Sequence, residues 1–380
     1  MWGEEMKFIL APDSFKESLT AKEVADAMEV GIKRIFPDAE CVKVPMADGG
    51  EGTVQSLVDA TDGDIYEINV TGPLGKMVNA KYGILGDRET AVIEMAEASG
   101  IHYVEKKDRN PLITTTYGTG EIIKNALDKG VKKIIIGIGG SATNDGGVGM
   151  LQALGAKFLD DKGKDLPFGG GSLDKLYKID LSNFDERINE VNIEVACDVN
   201  NPLTGINGAS NIFGPQKGAT KELIEILDRN LGHYAQIVSS QLGKNMQYEE
   251  GSGAAGGLGF ALLAFCNGKL SPGVEIVIKY SKLNEKIKGA SYVITGEGSI
   301  DSQTKFGKTP YGVSKVAKEN KIPVIAIAGN VGKGIEDLYE LGFNSIFSIM
   351  PGVLSLDEAF KSAKENVENT IENIARLLLI

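Results

Sequence analysis

Histidine and cysteine are scarce in this chain. Only His102 and His233 occur in 380 residues, so His-based metal sites and a Ser-His-Asp triad are poorly supplied. The three cysteines, Cys41, Cys197 and Cys266, lie far apart and are odd in number. That fits a reducing compartment and speaks against structural zinc. Basic charge is also short, with 40 Lys+Arg against 52 Asp+Glu and a net charge of −12. A general binder of nucleic acid or of an anionic membrane is therefore not expected. No apolar run approaches spanning length, and Met1-Trp-Gly-Glu-Glu is acidic where a signal peptide would be basic. A cytoplasmic location is the expectation. A Walker-type P-loop is missing too, because Gly307-Lys308-Thr309 would need a glycine at Ser302.

Glycine, in contrast, is abundant: 48 residues, where usage of about 7% would give roughly 27. No Gly-X-Y period or Gly/Ser tract accounts for the excess. It collects in loops, above all in Ile134-Ile-Ile-Gly-Ile-Gly-Gly-Ser-Ala-Thr-Asn-Asp-Gly-Gly147. The isoleucine run there reads as a strand buried on both faces. The loop after it mixes glycines with Ser141, Thr143, Asn144 and Asp145, which suits a backbone that approaches an anionic ligand. A tight turn capped by Asp145 accounts for this one loop equally well. Repetition favours the ligand: similar strand, Gly-rich loop and helix grammar recurs at Asp48 to Thr53, Thr295 to Asp301 and, more weakly, Ala328 to Gly334.

The length suits about two domains. Strand Lys7–Ala11 leads to the capping box Thr20-Ala-Lys-Glu23, whose helix buries Val24, Ala25, Met28, Ile32 and Ile35. Strand Cys41–Val44, the loop to Thr53 and a helix through Leu57 continue the opening of a parallel α/β sheet. From Ile65 to Met95 three successive strands read as a meander, so the chain enters another unit. Beyond it, Phe168-Gly-Gly-Gly171 reads as a flexible loop, and Phe260–Cys266 as a helix entered through small residues. Parallel grammar returns at Ser291–Thr295, Thr309-Pro310 caps a helix, and Pro323–Ala328 is a strand. A last helix opens with the capping box Ser355-Leu-Asp-Glu358. The two ends share one style and the middle another, which fits one domain inserted into a discontinuous one.

Asp13, Asp48, Asp145, Asp198 and Asp301 all follow strands. Singly, each reads as a cap or turn; five exceed what capping needs, and strand C-termini line the ligand crevice of open α/β sheets. Lys16, Lys217, Lys305 and Lys308 lie beside the same loops, and a solvated surface accounts for at least half of them. Carboxylates for Mg²⁺, lysines and N–H groups for phosphates, and a base are the parts of phosphoryl transfer. A rival is an NAD-dependent oxidoreductase of a small hydroxy acid. Gly137-Ile-Gly139-Gly-Ser-Ala142 matches a loose dinucleotide fingerprint, with Asp160 at about the expected distance. A non-catalytic sensor on the same scaffold is a third class.

Ala11-Pro-Asp-Ser-Phe-Lys-Glu-Ser-Leu-Thr20, Pro45-Met-Ala-Asp-Gly-Gly-Glu-Gly-Thr53 and Gly137-Ile-Gly-Gly-Ser-Ala-Thr-Asn-Asp-Gly-Gly147 resemble signatures of the bacterial class I glycerate kinases. So do Cys197-Asp-Val-Asn-Asn-Pro-Leu203, Phe213-Gly-Pro-Gln-Lys-Gly-Ala219 and Thr295-Gly-Glu-Gly-Ser-Ile-Asp-Ser-Gln-Thr304. The resemblance runs in order from about Lys7 to the C-terminus. Met1 to Glu5 has no counterpart in it, Glu17 stands where a small residue is commoner, and Ser299 where a basic one is.

The resemblance implies an α/β fold: a flavodoxin-like parallel-sheet domain from residues 6–72 and 285–380, with an inserted restriction-endonuclease-like α/β domain, 73–284. It implies ATP-dependent phosphorylation of D-glycerate in the cleft between them, usually at the 2-hydroxyl, with the 3-hydroxyl as alternative. On that reading Asp198 is the base and Lys16 offsets phosphoryl charge. Asp13, Ser14 and Asn201 hold glycerate. Gly139, Gly140, Ser141, Thr143, Gly296, Glu297, Gly298 and Lys308 hold ATP phosphates, and Asp301 and Asp48 hold Mg²⁺. The expected partners are small molecules, with no nucleic acid or membrane; a homo-oligomer stays open.

Overall fold

The computed structural model describes residues 6–380, and the acidic Met1–Glu5 segment lies outside the described residues. The strands, in chain order, begin with β1 (Lys7–Pro12), β2 (Glu40–Lys43), β3 (Asp64–Thr71), β4 (Met77–Ile84), β5 (Thr90–Glu94) and β6 (Lys133–Gly137). They continue with β7 (Lys157–Leu159), β8 (Lys178–Asp180), β9 (Asn192–Ala196), β10 (Lys269–Ser271), β11 (Tyr292–Ile300), β12 (Val324–Val331) and β13 (Ser345–Ser348). The fold is mixed α/β and divides into two compact units. One comprises the segment ending at Asp48, Gln55–Asp62 and Gly273–Ile380; the other comprises Gly49–Val54 and Gly63–Pro272.

The first unit is built on a five-stranded sheet in the order β13-β12-β11-β1-β2, parallel throughout. Phe8, Ile9 and Leu10 of β1 are fully buried, as a strand covered on both faces requires. The helix Ala21–Lys33 starts at the expected capping box, Thr20 with Glu23. Its Val24, Met28 and Ile32 pack with Val367, Ile371 and Ile374 of the helix Ala363–Leu378. The expected single C-terminal helix is two: the box at Ser355 and Glu358 opens Leu356–Lys361, and the chain bends at Ser362 before the longer helix.

In this unit two expected loops are strand. β11 runs on to Ile300 and β12 to Val331, pairing Ser299 with Asn330 and Ile300 with Val331. Gly296 thus pairs with Ile327, and Gly298 and Gly329 lie within the strands between paired residues, where the glycines read as loop in the sequence.

The second unit has a six-stranded sheet in the order β10-β9-β6-β5-β4-β3 and a small β7-β8 pair. β3, β4 and β5 form the antiparallel meander; β5, β6, β9 and β10 are parallel. β3 hydrogen-bonds β4 along its whole length. The strand therefore belongs to this sheet, and the division falls at Asp62/Gly63 rather than after residue 72. At the far side it falls at Pro272/Gly273 rather than before 285.

The expected flexible loop at Phe168–Gly171 is closely packed: Gly170 opens a 3₁₀ turn, and a Cβ there would meet the Asn144 carbonyl at 2.2 Å. The helix Ala254–Phe265 is interrupted by left-handed Ala255, Gly256 and Gly257. A Cβ on Gly256 would lie 2.0 Å from the Thr143 carbonyl. These two glycines let separate segments press against the back of the loop that follows β6.

Candidate active site

In the first unit the sheet order reverses between β1 and β11, the position where open α/β sheets bind ligands at their strand C-termini. Asp13 follows β1 directly, and Glu297 lies one residue past the last β1–β11 pair, Pro12 with Gly296. Asp13 is buried. Its Oδ2 accepts from Thr309 Oγ1 at 2.5 Å and its Oδ1 from Ser14 N at 2.6 Å. Burial pushes its carboxyl up to about 6, against the lowering effect of the Thr309 bond and with the Asp48 charge adding to the rise. Glu297 Oε1 accepts from Thr304 Oγ1 at 3.1 Å and faces Lys308 Nζ at 3.4 Å. Burial lifts it to about 7; Lys308 and Thr304 oppose that, and the Asp13 charge adds to it.

Asp13, Asp48, Glu297 and Lys308 therefore form one electrostatic group. Lys308 also donates to the Ser299 carbonyl at 3.3 Å. Thr309 was expected to cap its helix, but Lys308 occupies the N-cap position and Thr309 is the first helical residue. The Thr309 hydroxyl goes to Asp13 instead. Thr304 and Thr309 were missed because each hydroxyl reads locally as turn or cap chemistry. Lys16 is exposed on a tight loop closed by Phe15 and Leu19. Asp301 accepts from Gln303 N, a turn contact.

In the second unit the loop after β6 has two different faces. Gly139 and Gly140 are exposed, while Ser141 is buried. Ala142 N donates to Ser99 O and Ile101 N to Gly140 O, which ties the loop to its neighbour. Thr143, expected at a phosphate, is wholly buried, and its hydroxyl has no hydrogen-bond partner. Its carbonyl accepts from Lys217 Nζ at 2.6 Å. That lysine is 2% exposed, contrary to a solvated reading, and burial lowers its ammonium to about 7.

Asp145 has the structural role that its sequence context allowed. It accepts from Thr116 N and Oγ1, Gly147 N and Gly149 N. Burial raises its carboxyl. Asp198 is exposed beyond β9. Asn201 Nδ2 donates to the Asn207 carbonyl. Asp160, the acid of the dinucleotide fingerprint, caps an exposed turn through Lys162 N and Lys164 N. Among the described residues no three His, Cys, Asp or Glu side chains converge as a metal cage, and no helix is long and apolar enough to cross a membrane.

The glycerate kinase family model matches residues 8–379. The chain belongs to the glycerate kinase family. It is an enzyme, a kinase, and the oxidoreductase and non-catalytic readings are set aside. It is 54% identical to a glycerate kinase of Bacillus subtilis (strain 168) over 97% of both chains. It is 52% identical to the glycerate 2-kinase of Escherichia coli (strain K12), over 99% of this chain and 98% of that one. A solved chain from Salmonella typhimurium LT2, named provisionally as glycerate kinase 2, superposes with a TM-score of 0.91 at 52% identity, covering 98% of each.

Proposed function

We propose that this kinase transfers the γ-phosphoryl group of ATP to the 2-hydroxyl of D-glycerate, giving 2-phosphoglycerate and ADP. The observation that carries phosphoryl transfer is the group Asp13, Glu297 and Lys308 at the reversal of the parallel sheet. The choice of hydroxyl is supported by 52% identity to a relative named glycerate 2-kinase; attack by the 3-hydroxyl is the second reading. The strand order, 2-1-3-4-5 counted within the first unit, supports a flavodoxin-like description of it. A restriction-endonuclease-like description of the second unit is also proposed.

In this mechanism the glycerate hydroxyl oxygen bonds to the γ-phosphorus as the bond to the ADP oxygen breaks. The hydroxyl proton passes to a carboxylate. We assign that carboxylate to Asp13 rather than Asp198, because a buried group at about 6 is poised for proton transfer near neutrality. Thr309 and Ser14 hold its oxygens in place. Lys308, beside Glu297, and Lys16 offset charge on the transferring group, while Gly298 leaves main chain accessible beside them. In the second unit Gly139, Gly140 and Ser141 are the proposed phosphate contacts, with Thr143 as support behind them. Asn201 remains a proposed glycerate contact.

Mg²⁺ fits the donors of the first unit: Asp48 and Asp301 are hard oxygen ligands, and two carboxylates as near as Asp48 and Asp13, whose charges act on each other, suit a cation. When bound, it would neutralise phosphate charge.

The deciding experiment is a coupled assay of ADP release with D-glycerate and ATP, run beside NAD and a panel of hydroxy acids, with the product identified by NMR. Phosphorus on the 3-oxygen rejects the regiochemistry, and no ADP release rejects the reading. Asp13→Asn and Asp198→Asn, compared under the same conditions, identify the base. Whichever retains turnover across pH is not the base.

A further inference from the structure

The first unit contains a cavity of about 400 Å³ beside the C-terminal halves of β11 and β12, within the size range of small-molecule pockets. It is lined by Phe15 and Lys16 of the loop after β1, Asn330 of β12, and Leu354, Leu356 and Phe360 of the C-terminal segment. Two properties distinguish it from a packing gap. Its walls are mostly carbon, with two phenyl rings among them. Its rim also holds apolar side chains in water: Leu356 is 67% exposed, Leu354 37%, and neighbouring Val353 fully so. Exposed apolar surface around a concavity marks a binding site more often than a folding remnant.

Few polar side chains line it: Lys16, Ser18 and Asn330. Lys16 contributes an ammonium. At Gly298, also on the wall, an added Cβ would have Lys16 N and Phe15 Cα as its nearest neighbours, both at 3.9 Å. Asn330 adds an amide, one N–H of which is already given to Ser299 Oγ at 3.1 Å; the other N–H and the carbonyl oxygen are the chemistry that reads a heterocycle edge. The lining thus suits a ligand that joins a flat, carbon-faced ring to a negatively charged group. Glycerate has no such ring.

We propose that this cavity takes the purine base and ribose of the phosphoryl donor, with the phosphates leading out past Lys16 and Gly298. The proposal rests on the ATP-dependent reading above. Aromatic and aliphatic walls supply affinity by burying the base faces, and Asn330 contributes selectivity between bases. The C-terminal segment around Leu354 and Leu356 forms the outer wall.

Two measurements test it. Ala359, on the cavity wall, is replaced by phenylalanine to fill the space. Ala359→Phe should raise the KM for ATP about tenfold or more and leave the KM for D-glycerate within about twofold. A raised glycerate KM with an unchanged ATP KM overturns the proposal. If Ala359→Phe fails to fold, Leu356→Ser at the exposed rim takes its place, with a smaller rise expected in the same parameter.

Independently, the intact chain is photolabelled with 8-azido-ATP. The label should fall on peptides containing Phe15 or residues 349–360, with protection by excess ATP; labelling confined to other peptides overturns the proposal. Should the protein release no ADP with glycerate, the kinase reading fails, while the labelling pattern still decides whether the cavity takes an adenine nucleotide.

Discussion

Asp13 and Asp145 share a sequence grammar, each an aspartate in the loop after a buried parallel strand, yet the structure uses them in opposite ways. Asp145 is enclosed by four donors from Thr116, Gly147 and Gly149, and it stitches its loop to the start of the next helix. Asp13 has fewer bonds and a like charge nearby, which leaves its carboxyl close to neutrality in its titration. The same contrast holds for the lysines. Lys217 is sealed behind its loop on a carbonyl, whereas Lys308 is half-buried beside a carboxylate. Saturation by backbone donors makes a charged residue structural; an incomplete shell next to another charge leaves it able to react.

The sharpest way to break that comparison is to neutralise both aspartates. Asp13→Asn should lower turnover by about 10³-fold, with thermal stability held or raised because a buried, poorly compensated charge is gone. Asp145→Ala should do the reverse, leaving several buried donors unmet and lowering stability by about 3–5 kcal/mol. Urea unfolding and steady-state kinetics on both variants check this. A stable, active Asp145→Ala protein would remove the structural role.

The lysines come next. Lys308→Met should cut kcat/KM by about 10²-fold and move the pH dependence of activity upward, since Lys308 is what holds Glu297 down. Lys217→Met should change stability by less than about 2 kcal/mol, losing a donor to Thr143 but also a buried charge. Equal kinetic damage from the two would erase the distinction.

Titration sharpens it further. Asp13 and Glu297 rise from 3.8 and 4.5 to about 6 and about 7, so between those limits the folded chain binds more protons than the unfolded one. Their contribution to stability is present in acid and is lost as pH climbs from about 4 to 7, on the order of 2–3 kcal/mol each. Lys217, lowered from 10.5 to about 7, acts with the opposite sign. Above pH 7 the unfolded chain holds the extra proton, and stability from this group rises with pH. Together these groups give a minimum near neutrality. Melting temperatures across pH should lose about half of the acid limb in Glu297→Gln, the Asp13 share remaining, and the alkaline limb in Lys217→Met. Activity should follow the carboxylates the other way, increasing as pH passes 6 to 7.

What could be read from the residues alone follows from how local each determinant is. Both capping boxes were legible because donor and acceptor lie three residues apart. The meander and the parallel ends were legible from apolar patterning, and the six motifs carried the family. The ends of β11 and β12 were not, because glycine in a ladder and glycine in a loop look alike without the partner strand. Thr309 was misread as a cap because its acceptor, Asp13, lies 296 positions away. Which of the four lysines is buried was not legible either, since the burial of Lys217 depends on the segments packed around it. Long-range pairing, which decides which polar groups remain reactive, has no local signature.

The smallest effect lies next to Asp13, at Glu17, where φ is +65°. The position is thus more than a matter of charge, since left-handed backbone disfavours any side chain with a Cβ. Glu17→Gly should relieve that strain, offset by the freedom glycine gains in the unfolded chain, for a net stabilisation of about 0.5 kcal/mol. Turnover should not move, because the loop is already closed by the paired bonds between Phe15 and Leu19. Glu17→Ala is the control: it removes the same charge and keeps the Cβ, so equal stabilisation by both would assign the effect to charge rather than backbone. If Glu17→Gly instead lowers turnover along with stability, the stiffness of this loop serves the Asp13 side of the comparison, and the strain is part of how Asp13 and Lys16 are held.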